Sequence, residues 1–241
     1  DRVTVVTKSY TGAPAVKWEC TDSGEYTLSP SDKETRGTDV IMHIADGEDE
    51  YLEDGKLKSI LEQYCSFMPV EIYYEGEKKP EPEKKEGEEA TEPEAPKPIN
   101  DTHPLWMKNP SDCTEEEYLE FYRKVFHDYR EPLFHIHINA DYPLNFRGIL
   151  YFPKITNEYE SLEGQVKLYY NQVFVADNIK EVIPEFLLML RGVIDCPELP
   201  LNVSRSYLQN SGYVAKMSQH IVKKVADKLN SLFTTERANY E

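Results

Sequence analysis

Apolar positions along the chain change their spacing several times, and each change marks an element. Arg2–Tyr10 alternates around Val3 and Val5, and Ala15–Cys20 and Glu25–Ser29 continue in short segments broken by Gly and Pro. A period of two residues predicts strands. Gly37-Thr38-Asp39 then launches Val40–Ile44, a largely apolar run suited to a buried strand. Leu57, Ile60, Leu61, Tyr64 and Cys65 recur at helical spacing, and Val70–Tyr74 reads as a closing strand.

Later in the chain Thr114-x-x-Glu117 has the form of a capping box and predicts a helix through about Tyr129. Tyr118, Phe121, Tyr122, Val125 and Phe126 make its apolar face. Leu133–Ile138, Phe146–Phe152 and Val166–Ala176 are strand-like. Val182–Leu190 predicts an apolar helix, with Pro184 in the first turn, where a missing N–H is harmless. Val214, Met217, Ile221, Val225, Leu229 and Leu232 mark a long amphipathic helix. Helix, strands, helix, loop, helix is the order of an α+β or α/β layered domain.

Composition divides the chain. Glu75–Pro98 holds nine Glu, five Lys, five Pro and no aromatic or large aliphatic residue. Nothing in it can be buried to offset chain entropy, so it is expected to be a charged, flexible linker between residues 1–74 and residues 99–241. The whole chain has 27 Lys+Arg against 44 Asp+Glu, a formal charge of −17. That balance argues against a dedicated nucleic-acid binder, which needs a basic surface. At 39% hydrophobic and 12% aromatic the chain can fill cores, which excludes wholesale disorder. No apolar run is long enough for a transmembrane helix. Residue 1 is Asp, and Arg2–Tyr10 does not resemble an apolar signal core, so a piece of a longer cytoplasmic protein is expected. Cys20, Cys65, Cys113 and Cys196 show no close pairing and read as free thiols.

Chemistry is concentrated in Leu199–Gln209. Leu201 and Val203 are expected to pin the segment, and Asn202 or Ser204 to cap a short helix. Arg205 and Gln209 lie four apart, hence on one helical face, and a guanidinium beside an amide suits phosphate oxygens. A surface ion pair is the alternative for Arg205 on these residues alone. Trp106 is either a core anchor or an exposed partner-binding aromatic. His135 and His137 face one side of a strand; two imidazoles could hold a metal, but no third ligand is visible and no metal is expected. Glu115–Glu117 suits a helix N-terminus rather than acid catalysis.

Several motifs occur in order: Gly37-Thr38, the charged linker, Trp106-x-x-Asn109-Pro110, Val173–Asn178, Ile183–Phe186, Arg191–Asp195 and Leu199–Gln209. Together they resemble the ninety-kilodalton heat-shock protein family, and the short linker resembles its bacterial form. The resemblance implies that residues 1–74 end an N-terminal ATPase domain of GHKL fold, a sheet layered on helices. It implies that residues 99–241 begin a middle domain similar to the second domain of ribosomal protein S5. By the same resemblance Arg205 reaches the γ-phosphate of ATP, Gln209 lies beside it, and Thr38 helps hold adenine through a water-linked hydrogen bond. The family's catalytic Glu, its Mg²⁺-coordinating Asn and its Asp-x-Gly-x-Gly motif match nothing from residue 1 onward, so this piece alone is expected to be inactive. The implied parent is a cytoplasmic, homodimeric chaperone that hydrolyses ATP with Mg²⁺ and closes on partly folded clients, with no nucleic acid or membrane partner. Asn157–Glu160 stands where the family often has a basic, aromatic segment. The alternatives are a transducer region of a DNA-processing GHKL ATPase and a non-enzymatic interaction scaffold.

Overall fold

The computed structural model describes residues 2–76, 96–154, 165–177, 181–187, 189–199 and 212–240. The chain divides into two compact units, Asp1–Ser59 and Ile60–Glu241.

The first unit is an antiparallel sheet of β1 (Arg2–Lys8), β2 (Val16–Thr21), β3 (Tyr26–Pro30) and β4 (Gly37–His43), ordered β3-β2-β1-β4. The first three strands lie where the alternation predicts them, and β4 covers Gly37–Asp39 and most of the apolar run that follows. The burial expected of Val40–Ile44 is not met: β4 is an edge strand, with Val40 62% and Met42 69% exposed. Side chains are covered by what packs on the faces of a sheet rather than by hydrogen-bonded neighbours, and Val3 and Val16 on the interior strands are exposed as well.

Helix α1 (Asp54–Cys65) occupies the predicted helical run. Val70–Tyr74 is a correction, because it joins no ladder. Its backbone is held largely by one side chain: Asn100 Oδ1 accepts from Ile72 N, and Asn100 Nδ2 donates to the Met68 and Val70 carbonyls, each at 2.8 Å, while the Ile72 carbonyl accepts from Ile99 N. A buried amide that satisfies three backbone groups takes the place of strand pairing.

In the second unit α2 (Glu115–Phe126) opens on the predicted capping box, with Glu117 N donating to Thr114 Oγ1 at 3.2 Å and Thr114 N donating to Glu117 Oε2 at 2.9 Å. It ends earlier than expected, because His127 turns left-handed (φ 50°) and Asp128 folds back to accept from Arg130 N. The sheet comprises β5 (Phe134–Ala140), β6 (Phe146–Phe152), β7 (Val166–Tyr170), β8 (Val173–Asp177) and β9 (Arg191–Asp195), ordered β5-β6-β9-β7-β8. Only the β7–β9 pairing is parallel. Val166–Ala176 is thus a hairpin rather than one strand, turning at Asn171 and Gln172, both with positive φ. Val182–Leu190 does not form the predicted helix among its described residues. It keeps a single 3-10 turn, Glu185–Leu187, in which Leu187 N bonds to Pro184 O and Leu190 N to Leu187 O. Its apolar residues Val182, Ile183, Leu187 and Leu190 are nonetheless buried. The C-terminal helix α3 (Gly212–Thr235) follows the predicted stripe, and α4 (Arg237–Tyr240) ends the description.

Alternation along the strands feeds two cores. Ile136, Ile138, Phe146, Leu150, Leu168 and Ile194 face Val214, Met217, Ile221 and Val225 of α3. Ile149, Tyr151, Tyr169 and Val193 face Trp106, Phe67 and the apolar side of α2. The second unit is therefore helix, sheet, helix, and the chain as a whole is of mixed α+β class. Gly148 and Gly192 allow β6 and β9 to approach: a Cβ on Gly192 would lie 2.5 Å from Ile149 O.

Candidate functional site

Thr38 lies near the start of β4, in register with Thr7 on β1, and the two hydroxyls are 2.7 Å apart. It is exposed and lines a depression of about 540 Å³ in the first unit, together with Lys8, Ser9, Tyr10 and Arg36. Strand pairing thus presents a hydroxyl beside two cationic side chains. Arg205 and Gln209 lie outside the described residues, as does Asn157–Glu160. What is described are the two elements that flank them, β9 and α3.

The end of β9 is a buried polar junction. Asp195 is 5% exposed, and its Oδ2 accepts from Trp106 Nε1 at 3.2 Å and from Gln172 N at 3.0 Å. Burial pushes the Asp195 carboxyl above the ordinary carboxylate range, and the Trp106 and Gln172 donors act in the opposite direction. Gln172, with its amide oriented to satisfy both ends, also donates to the Phe67 carbonyl at 2.9 Å and the Thr102 carbonyl at 3.2 Å. Trp106 is fully buried, edge-on to Phe67 at 4.7 Å and beside Tyr169 at 5.3 Å. Of the two readings of this tryptophan, the core anchor is the one found. Asp195, Arg147, Gln172 and Met107 line a neighbouring cavity of about 340 Å³.

The two histidines of β5 do face one side, and Tyr118 of α2 occupies it. The Tyr118 ring stacks on His135 at 3.8 Å, and its hydroxyl lies 2.8 Å from His137 Nδ1. His137 Nε2 lies 3.5 Å from the Trp106 carbonyl, which favours the tautomer protonated at Nε2 and leaves Nδ1 to accept from Tyr118. Burial pushes both imidazoles below their ordinary value. Among the described residues no group of three or more His, Cys, Asp or Glu could hold a metal ion. Glu115–Glu117 sits in the first turn of α2, where Glu117 closes the cap and pairs with Lys108 at 2.6 Å.

At the other end of β9, Arg191 donates to Asp128 and, at 3.1 Å, to Tyr122 Oη. Arg130 donates to the same carboxylate through Nε (3.0 Å) and Nη2 (2.9 Å). The side-chain and backbone bonds from Arg130, with the Arg191 guanidinium, hold the Asp128 carboxyl well below its ordinary range. The cysteines are free thiols, and Cys196 is buried. Its Sγ lies 3.0 Å from Tyr213 Oη of α3. The sequence reading assigned no role to Asp195, Cys196 or Tyr213; the one signal available was an acid closing an apolar strand. Among the described residues no helix is long and apolar enough to cross a membrane.

The family model described as Hsp90 protein matches residues 77–241. The chain is 48% identical over 242 residues to a chaperone protein HtpG of Porphyromonas gingivalis, covering 100% of the chain and 35% of that relative. It is 46% identical over 241 residues to the Bacteroides fragilis chaperone protein of the same name, and 34% identical over 251 residues to that of Geobacter sulfurreducens. The chain spans about a third of the length of these relatives, 35% of the first two and 38% of the third.

Proposed function

The chain belongs to the Hsp90 family, and from that premise we propose that it is part of an ATP-dependent molecular chaperone. In this reading residues 1–74 close a GHKL-type ATPase domain, residues 75–98 are a charged tether, and residues 99–241 begin a middle domain resembling the second domain of ribosomal protein S5. The parent is a cytoplasmic homodimer that hydrolyses ATP slowly and closes around partly folded proteins. The observation that supports it most is the pairing of the family match with Leu199–Gln209, which in sequence joins the end of β9 to α3.

Within that scheme Arg205 meets the γ-phosphate, supplying a fixed positive charge where negative charge is redistributed during transfer. Gln209 orients beside it. Thr38 offers its exposed hydroxyl toward the adenine, and Lys8 and Arg36 in the depression around it are compatible with an anionic ligand. Among the described residues no group of three or more His, Cys, Asp or Glu could hold the Mg²⁺. In this reading the charged segment 75–98 tethers the two halves at an effective concentration on the order of mM, so that nucleotide state can decide docking.

Arg205→Ala in the full-length parent tests the assignment. Adenine and ribose contacts are made elsewhere, so ATP affinity is expected to change by less than about tenfold, while kcat falls roughly 10- to 10³-fold, about 1.4–4 kcal/mol. Gln209→Ala is expected to act in the same direction with a smaller effect. Wild-type turnover by folded Arg205→Ala at saturating ATP would overturn the role given to this arginine.

A further inference from the structure

Arg147 of β6 and Asp195 of β9 are direct partners across an antiparallel pair. Side chains at such positions share a face with their Cβ atoms about 5 Å apart, and opposite charges there ordinarily join. These two do not. The Asp195 carboxylate is 5% exposed and accepts from Trp106 Nε1 and Gln172 N, both through Oδ2. Its other oxygen, Oδ1, is buried and accepts no hydrogen bond among the described residues. The Asn171 N–H favours the carboxylate charge from nearby without closing a bond to Oδ1. The Arg147 guanidinium reaches the Met107 sulfur at 3.7 Å, a weak acceptor, and pairs with no carboxylate among the described residues.

Both charged groups line the cavity of about 340 Å³, whose apolar wall is made by Pro69, Met107, Phe146 and Pro197. A water molecule has a share of about 30 Å³, so one water at Oδ1 would leave most of this space unused. A buried carboxylate oxygen without a donor is costly, which favours an occupant that supplies one. A simple cation would meet Asp195 beside an uncompensated arginine, and a simple anion would meet Arg147 beside an uncompensated carboxylate. A molecule that carries both charges one carbon apart leaves neither unmatched. We propose that the cavity binds a small zwitterion, an α-amino acid with an apolar side chain. Its ammonium group donates to Asp195 Oδ1, its carboxylate accepts from Arg147, and its side chain lies against the apolar wall.

The experiment is titration of the 241-residue chain with L-leucine, followed through the indole N–H resonances in proton–nitrogen correlation spectra. The chain has two tryptophans. Trp106 is bonded to Asp195 and its resonance is expected to shift, while Trp18, on β2 in the first unit, is expected to stay in place as the internal reference. The expected Kd is about 1 mM or tighter. Isoamylamine, which lacks the carboxylate of leucine, and isocaproate, which lacks its amine, are each expected to bind at least roughly tenfold more weakly. Arg147→Met keeps an apolar stem, and is expected to weaken leucine at least roughly tenfold while leaving isoamylamine no weaker. Asp195→Asn is expected to weaken leucine and leave isocaproate no weaker; if that variant does not fold, Arg147→Met and the three ligands decide. An unmoved Trp106 resonance at about 20 mM leucine would overturn the proposal. So would equal affinity for either single-charge analogue, or wild-type leucine affinity in Arg147→Met.

Discussion

Replacing Trp106 by phenylalanine separates packing from hydrogen bonding at the end of β9. The indole is fully buried against Phe67, Phe121 and Tyr169, and its Nε1 is a donor to the buried Asp195 carboxylate. Truncating a buried aromatic to alanine costs about 3–5 kcal/mol, so losing one ring of the indole costs about 1–2. Losing a hydrogen bond to a charged acceptor adds about 1.5–3 kcal/mol. The expected destabilisation near neutral pH is therefore about 2.5–5 kcal/mol. Only the second part depends on pH. Asp195 holds its proton more tightly folded than unfolded, because burial raises its pKa. Folding then takes up a proton between the two values, so stability is greatest below the unfolded value of about 3.9 and falls as pH rises through the folded value. Removing the indole N–H raises the folded value further and deepens that loss. The cost of Trp106→Phe should accordingly be least where Asp195 is protonated, toward about 1–2 kcal/mol, and greatest where it is ionised, so it should grow as pH rises. Urea unfolding of the 241-residue chain followed by far-UV circular dichroism reports it, since α2 and α3 both belong to the second unit. A cost that does not change between pH 4 and pH 8, or one below about 1 kcal/mol at pH 8, would refute the reasoning. An Asp195→Asn background should abolish the pH dependence.

Gly192→Ala should destabilise the second unit by about 3 kcal/mol or more, because the new Cβ meets the Ile149 carbonyl at 2.5 Å and backbone cannot yield. Gly55→Ala, at a position with nothing within 4 Å and inside α1, should be neutral or stabilising by up to about 1 kcal/mol, and a thermal melt compares the two. Asp128→Asn removes the charge paired with Arg191, which keeps its bond to Tyr122 Oη, and should cost about 1.5–3 kcal/mol at neutral pH. Here the sign is opposite to that at Asp195: the folded pKa lies below the unfolded one, so the stabilisation is present above about 3.9 and is lost as pH falls. Urea midpoints measured from pH 7 downward should therefore converge for wild type and Asp128→Asn, and parallel curves would count against it.

Local patterns carried much of the architecture. The alternation in Arg2–Tyr10 and Phe146–Phe152, the stripe from Val214 to Leu232 and the Thr114/Glu117 box each became the element expected. The misreadings share a cause. Val70–Tyr74 has the composition of a strand, yet its Ile72 N–H and Val70 carbonyl are both met by Asn100, which is about 30 residues away along the chain and offers no local sign of its partners. Val182–Leu190 buries its apolar residues without a helix, because burial selects residue type while the conformation depends on how the chain enters and leaves the core. The Val166–Ala176 run split because Asn171 and Gln172 adopt positive φ, which a continuous strand cannot accommodate.

The same division holds for the site. Sequence by itself determined the family, most of the elements and the identity of Thr38, Arg205 and Gln209 as candidates, and it marked Glu75–Pro98 as a highly charged stretch, because each of these is written in neighbouring residues. Tertiary structure alone decided that Trp106 is a buried donor rather than an exposed contact. It alone decided that His135 and His137 are covered by Tyr118 rather than open to a metal. It alone brought Cys196, Tyr213 and Leu144 together. Each of these depends on which distant atom fills a pocket or accepts a proton, and that is fixed only when sheet and helices close around a common core.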